Sequence, residues 1–225
     1  MNDKEKVAKY AADIVTNNMT VGLGTGSTAN CFIEALASRI KNEGLKVTLV
    51  ASSVVSMIKA KSLGLSVASI EQIQSLDLYV DGADEVSPDN TLLKGQGSDL
   101  VREKLLARSS KQFIVLVDQS KMVAKIGEKF SIPIEVMPFA WQMVKKCLEE
   151  QGGQGELRSN GGGGLAVSSM GNLILDMAFE SSIDSQQLNL ILNGTPGVVE
   201  HGIFQSLASV VLLVENEEVK EIVTA

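Results

Sequence analysis

Two short segments hold the residue types that proton transfer requires. Asp81, Asp84 and Glu85 lie in Val80-Asp81-Gly82-Ala83-Asp84-Glu85; Lys94-Gly95-Gln96-Gly97 and then Arg102-Glu103-Lys104 follow. An apolar run from Leu76 to Val80 precedes the acids and reads as a buried strand, so they stand where that strand gives way to a loop. In open α/β sheets this is the edge where ligands bind. Two neighbouring carboxylates hinder each other's ionisation, so one can stay protonated near neutrality and donate a proton. Lys94 can bring an ammonium into the same cleft, offsetting those charges or stabilising an oxyanion. Glu85 reads as solvated or structural. Taken alone, Arg102-Glu103-Lys104 reads as a solvated helix face.

Gly22-Leu23-Gly24-Thr25-Gly26-Ser27-Thr28 lies between a short strand and a helix. A dinucleotide fingerprint needs glycine where Ser27 stands and an acid about 20 residues on, and Ala51, Ser52 and Ser53 follow the next strand instead. Free N–H groups at a helix start, with the Ser27 and Thr28 hydroxyls, suit an anion such as phosphate; the alternative is a tight turn with a capped helix. Lys121, after the apolar run Phe113 to Val117, opens onto the same edge, and Lys4 can reach an anion from the first helix. His201 is the only histidine, so Asp and Glu must supply acid–base chemistry. Trp141 and the methionines read as core filling. Cys31 and Cys147 make no disulfide framework and sit in no metal-ligand spacing.

The elements that must position these residues alternate. Helix-period apolar positions (Val7, Ala11, Ile14, Val15) predict an opening helix capped by Asn2 or Asp3. Strands are expected at Thr20–Leu23, Val47–Ala51, Ser66–Ser69, Leu76–Val80 and Phe113–Val117, and helices at Ala29–Ile40, Ser53–Leu63 and Ser98–Arg108. That series specifies βαβ units and a parallel sheet. Past Lys129 the pattern changes to a strand at Ile132–Val136, a helix after Pro138, and a loop at Gly152–Gly155. A strand at Leu157–Ser159 follows, then Leu165–Ser169 pairing with Leu173–Phe179, a helix capped by Asp184 and a strand at Val198–Val199. Strand–helix–strand–strand–helix–strand is the order of a small ferredoxin-like unit, and Val210–Val214 is expected to rejoin the first sheet.

At 225 residues the chain can form one large domain or a domain with a smaller companion. Hydrophobic residues make up 44% but aromatic ones only 4%, which calls for an aliphatic core of the kind a covered parallel sheet buries. The net charge of −7 comes without any basic cluster, so nucleic acid is not an expected partner. No apolar run nears the roughly 20 residues that span a membrane. The charged N-terminus is unlike a secretory signal, so a cytoplasmic setting is expected.

Several segments together resemble the type A ribose-5-phosphate isomerase family. They are Gly24-Thr25-Gly26-Ser27-Thr28, Tyr79-Val80-Asp81-Gly82-Ala83-Asp84-Glu85, Lys94-Gly95-x-Gly97, Arg102-Glu103-Lys104 and Asp118-x-Ser120-Lys121. Ile132-Pro133-Ile134-Glu135-Val136-x-Pro138 and Gly194-x-Pro196-Gly197-Val198-Val199 match as well, in order, from about residue 4 to 220. The resemblance implies reversible interconversion of ribose 5-phosphate and ribulose 5-phosphate through a cis-enediol, in the pentose phosphate pathway, without metal or organic cofactor. It implies a Rossmann-like, mostly parallel sheet domain (1–130 plus 205–225) with a smaller ferredoxin-like α+β lid (131–204), in a homo-oligomer with a dimer favoured. By position, Glu103 resembles the general base. Asp81 and Asp84 resemble the acids managing sugar hydroxyls and ring opening, and Lys94 the cation at the carbonyl or enediolate. Thr25, Gly26, Ser27, Thr28, Gly82, Ala83, Gly95, Gln96, Gly97 and Lys121 match substrate-binding positions, and Lys4 adds to phosphate binding. Gln96-Gly97-Ser98-Asp99 departs from the family's glycine and alanines, and Gly161–Gly164 is atypical. Two rivals share features of this pattern: a CoA-transferase relative with a nucleophilic glutamate, and a sugar-phosphate sensor module, which would need a DNA-reading domain that no basic helix-turn-helix before residue 20 supplies.

Overall fold

The computed structural model describes residues 1–180 and 182–223; residues 181, 224 and 225, included in the expected domain spans, lie outside the described residues. Helix α1 (Asp3–Ile14) starts on a reciprocal cap, in which Asn2 Oδ1 accepts the Glu5 N–H and Glu5 accepts the Asn2 N–H. Then come β1 (Thr20–Leu23), α2 (Ser27–Glu43), β2 (Thr48–Ala51), α3 (Val54–Ser62) and β3 (Val67–Ala68). Ser53 caps α3 through the Ser56 N–H. Next are β4 (Leu76–Gly82), β5 (Glu85–Val86), β6 (Leu92–Leu93), α4 (Leu100–Ser109) and β7 (Ser110–Leu116). The chain continues through β8 (Ile132–Val136), α5 (Trp141–Glu149), β9 (Gly153–Leu157), β10 (Leu173–Phe179) and α6 (Ser185–Gly194), which Asp184 caps as expected. It finishes with β11 (Val198–His201), β12 (Ile203–Phe204), β13 (Val210–Glu215) and β14 (Glu218–Val223).

The chain divides into two compact units. The first comprises Met1–Ala83, Arg102–Lys121 and the segment from Leu207 onward. It is Rossmann-like: a seven-stranded sheet in the order β14-β13-β7-β4-β1-β2-β3, parallel except for β14 against β13. Its core is aliphatic, with Val21, Leu23, Leu78, Val80, Ile114 and Leu116 packed among Val7, Ala11, Phe32 and Leu36 from the helices. As expected, β13 rejoins this sheet, parallel to β7. The sequence pattern does not announce β14, because half of its residues are charged and exposed and only Val219 and Ile222 are partly buried, and those charges blunt the sheet edge.

The second unit, Asp84–Val101 with Met122–Ser206, holds an antiparallel four-stranded sheet in the order β11-β8-β10-β9 with α5 and α6, which is the ferredoxin-like arrangement. Its apolar face collects Ile132, Ile134, Val136, Leu175 and Met177 against Val144, Leu148, Leu188 and Leu192. Two expectations change here. Of the stretch expected as a loop, Gly152 is a turn residue but Gly153–Gly155 open strand β9, and Leu165–Ser169 makes only isolated bridges, Ser159 with Leu165 and Val167 with Leu173. The physical reason is backbone proximity: a Cβ on Gly155 would lie 1.9 Å from the Asp176 carbonyl oxygen, so glycine here marks a close strand contact and not a turn. A small β12-β6-β5 sheet completes this unit.

Candidate active site

In the first unit the site is built on the end of β4. Side chains two apart on a strand share a face, and Tyr79 and Asp81 do so. Asp81 Oδ2 accepts the Tyr79 hydroxyl at 2.5 Å, while Oδ1 accepts the N–H groups of Thr25 at 2.9 Å and Gly82 at 2.7 Å. Asp81 and Gly82 belong to the strand, which therefore runs two residues beyond its expected end at Val80. Tyr79 is fully buried and stacks on Phe113 with ring centroids 4.9 Å apart. Burial first, and then the negative charges of Asp81 and Glu103, raise its phenol well above the ordinary tyrosine value. It therefore serves as a donor throughout the physiological range.

Glu103 is the clearest departure from a surface reading. On α4 it lies in a charged run, yet it is only 4% exposed, and Lys104 beside it is buried as well. Its electrostatic influence on Tyr79 puts it in the same buried neighbourhood as Asp81.

The glycine loop joins that network. Thr25 Oγ1 hydrogen-bonds Ser52 at 3.0 Å and Ser53 at 2.7 Å, Ser53 hydrogen-bonds Ser56, and Ser52 also hydrogen-bonds the Tyr79 phenol. Thr25 thus turns its hydroxyl inward, while its N–H holds Asp81. Helix α2 begins at Ser27, two residues earlier than expected, on Gly26 at φ +108°, with no side-chain cap. The N–H groups of that first turn have no intrahelical acceptor, a geometry that suits an anion. Lys4 donates to Ser27 Oγ at 2.9 Å, which brings two of the expected anion-binding side chains together. Ala83 ends this stretch half-buried, and Lys121 closes a short helical turn after β7.

In the second unit, the Asp84 N–H donates to the Leu93 carbonyl, and Asp84 Oδ2 lies 3.4 Å from the Gln96 nitrogen. Lys94 is buried; its N–H donates to the Gly202 carbonyl and its Nζ sits 5.6 Å above the Phe204 ring. Gly95 adopts φ +100° and is buried, whereas Gln96 and Gly97 are exposed. Glu85 is structural, fully buried and accepting the N–H groups of Gly127, Lys129 and Phe130. His201 is a core residue, 1% exposed, with Nε2 3.3 Å from Asn193 Oδ1. Among the described residues, no cluster of three His, Cys, Asp or Glu side chains has metal-holding geometry.

Sequence reasoning missed Tyr79, Ser52 and Ser53 as members of the network. The period-two relation of Tyr79 to Asp81 was the available signal, and the two serines mark the exit of the neighbouring strand. Arg158, which binds the Gly95–Ser98 loop, left no local signal.

A family model described as Ribose 5-phosphate isomerase A (phosphoriboisomerase A) matches residues 48–218. Ribose-5-phosphate isomerase A from Prochlorococcus marinus (strain NATL1A) is 44% identical over 213 residues, covering 93% of this chain and 90% of the relative. That from Methanothermobacter thermautotrophicus is 42% identical over 98% of this chain and 97% of its own length. Among solved structures, ribose 5-phosphate isomerase A from Methanocaldococcus jannaschii superposes with a TM-score of 0.92 at 38% identity, covering 98% of this chain and 97% of its own. A D-ribose-5-phosphate isomerase in complex with phospho-erythronic acid gives 0.93 at 36% identity, covering 99% of this chain and 100% of its own. Matched by that family model over residues 48–218, and by relatives of about 40% identity over more than nine-tenths of its length, this chain belongs to the ribose 5-phosphate isomerase A family.

Proposed function

We propose that this chain interconverts D-ribose 5-phosphate and D-ribulose 5-phosphate through a cis-enediolate, with Glu103 as general base. The observation that carries this reading is Glu103 itself: a carboxylate in a charged helical run, only 4% exposed, in one buried neighbourhood with Tyr79 and Asp81. Glu103 takes the C2 proton of the open-chain aldose and returns it at C1, while a proton passes between O2 and O1. Asp81 and Asp84 hydrogen-bond the sugar hydroxyls and assist ring opening, and the Lys94 ammonium stabilises the enediolate oxygen. Gly26, Ser27 and Thr28 at the start of α2, with Lys4 and Lys121, take the phosphate. Thr25 ties that loop to Asp81, and Gly82, Ala83, Gly95, Gln96 and Gly97 line the sugar.

The family match and the donor set of α2 support the sugar-phosphate substrate. We assign the chain to the non-oxidative pentose phosphate pathway in the cytoplasm, as a homodimer that works without added metal or organic cofactor. The unit with the seven-stranded sheet is assigned as the catalytic domain and the ferredoxin-like unit as a lid, with boundaries near residues 131 and 205. Residues 84–101 and 122–130 pack within the second unit. The test is conversion of ribose 5-phosphate with a chelator present, for the parent chain and for Glu103→Gln. The variant should lose roughly 10²–10⁴-fold in turnover while still binding substrate. Near-parental turnover would remove Glu103 from the role of base.

A further inference from the structure

Lys94-Gly95-Gln96-Gly97-Ser98 is a tight turn in which the Ser98 N–H donates to the Gly95 carbonyl at 3.1 Å, with Gly95 at φ +100° and Ser98 at φ +65°. That single internal hydrogen bond closes the turn, and contacts from outside it add to its hold on the two positive-φ residues. Those contacts come from the sheet of its own unit. Arg158, just past β9, has a side chain only 12% exposed. Its Nε and Nη2 donate to the two carboxylate oxygens of Asp176 on β10, at 2.8 and 2.6 Å. The remaining nitrogen, Nη1, donates to the Gly95 carbonyl at 2.9 Å, the Gln96 carbonyl at 3.0 Å and Ser98 Oγ at 3.0 Å. One planar guanidinium therefore joins a strand carboxylate to three acceptors of a single turn, a geometry that the point charge of lysine cannot reproduce. One residue beyond the turn, Asp99 accepts a hydrogen bond from Ser169 Oγ at 2.6 Å.

The consequence follows from peptide planarity. In a trans peptide the N–H points opposite to the C=O of the same unit. With the Gly95 and Gln96 carbonyls drawn to Arg158, the N–H groups of Gln96 and Gly97 face away from it; the Gln96 nitrogen indeed lies 3.4 Å from Asp84 Oδ2.

We propose that Arg158, held by Asp176, is a positioning residue that fixes the Gly95–Ser98 turn so that the Gly97 N–H faces the sugar phosphate while the Gln96 N–H holds Asp84, with Ser98 as its side-chain anchor. This rests on the reading that Gly95 to Gly97 touch substrate. Contacts of that kind bind ground state and transition state alike, so their loss raises KM and leaves kcat in place. A merely structural role would instead lower the active fraction, reducing apparent kcat at unchanged KM.

The test uses the full chain with Arg158→Lys, Arg158→Met and Ser98→Ala. Arg158→Lys retains a cation for Asp176 but not the fork, so its melting temperature should stay near the parent's while KM rises on the order of tenfold, the equivalent of one lost charge-assisted hydrogen bond. Arg158→Met should raise KM at least as far, and Ser98→Ala by a few-fold. Amide exchange at residues 95–98, measured with and without an equilibrated mixture of the two pentose phosphates, separates the two levels. In the unaltered protein the mixture should slow that exchange; no slowing removes the loop from the substrate site, and the inference with it. Given slowing, a KM within twofold of the parent for both Arg158 variants, or a lowered kcat at parental KM, overturns the role of Arg158 and leaves the substrate site standing.

Discussion

Replacing Tyr79 with phenylalanine is the cleanest probe of the buried network, because it deletes one hydroxyl and leaves the ring stacked on Phe113. The lost O–H donates to the Asp81 carboxylate at 2.5 Å in a fully buried setting, and Asp81 keeps its donors from Thr25 and Gly82. A hydrogen bond to a charged group contributes about 1.5–3 kcal/mol. For a chain of this size each kcal/mol shifts the melting temperature by about 2–4 °C, so the variant should melt about 3–12 °C lower at neutral pH. The pH dependence gives a second readout. In the folded protein the Tyr79 phenol titrates well above its ordinary value of 10.0, chiefly because it is buried. Its contribution is therefore complete below about pH 10 and is lost as pH rises beyond that towards the folded pKa, because the unfolded chain sheds this proton first. The parent should lose stability more steeply than the phenylalanine variant above about pH 10, so the gap between them narrows there. Calorimetry from pH 7 to 11 measures both effects. A variant that melts within about 1 °C of the parent at pH 7, with the same alkaline slope, would refute the argument that this hydroxyl holds Asp81.

Gly24→Ala places a Cβ 2.3 Å from Asp81 Cγ and Oδ1 and 2.6 Å from its Cα, so the strand end must shift; a loss of about 1–3 kcal/mol in denaturant unfolding, together with reduced turnover, is expected. Asp77, paired with Lys111 at 2.8 Å and accepting the Thr20 N–H, has its carboxyl held below the ordinary value of 3.8, first by Lys111. Its contribution is present above about pH 3.8 and fades as pH falls towards the folded pKa, so Asp77→Asn should flatten the acid limb of a stability–pH curve between about pH 4 and 2. Ser27→Ala combined with Thr28→Ala should weaken pentose-phosphate binding by calorimetric titration more than it lowers kcat; unchanged affinity would remove the α2 start from phosphate binding.

The sequence by itself determined the layers. Apolar runs and helix-period patterns, with caps at Asn2 and Asp184, specify the βαβ series and the ferredoxin-like order, because periodicity and capping are local properties of the backbone. It also placed the acids, the lysine and the glycine loop at strand ends, where ligands gather. Tertiary structure decided which of these polar groups leave water. Glu103 and Glu85 both stand in charged runs that look solvated. One is buried in the neighbourhood of Tyr79 and Asp81, and the other receives three N–H groups from a segment some 40 residues on. The same holds for β9, where glycine permits strand contact, and for Arg158, whose loop acceptors lie about 60 residues earlier in the chain. A polar side chain is buried only when its partners arrive, and those partners come from distant elements that no local pattern records.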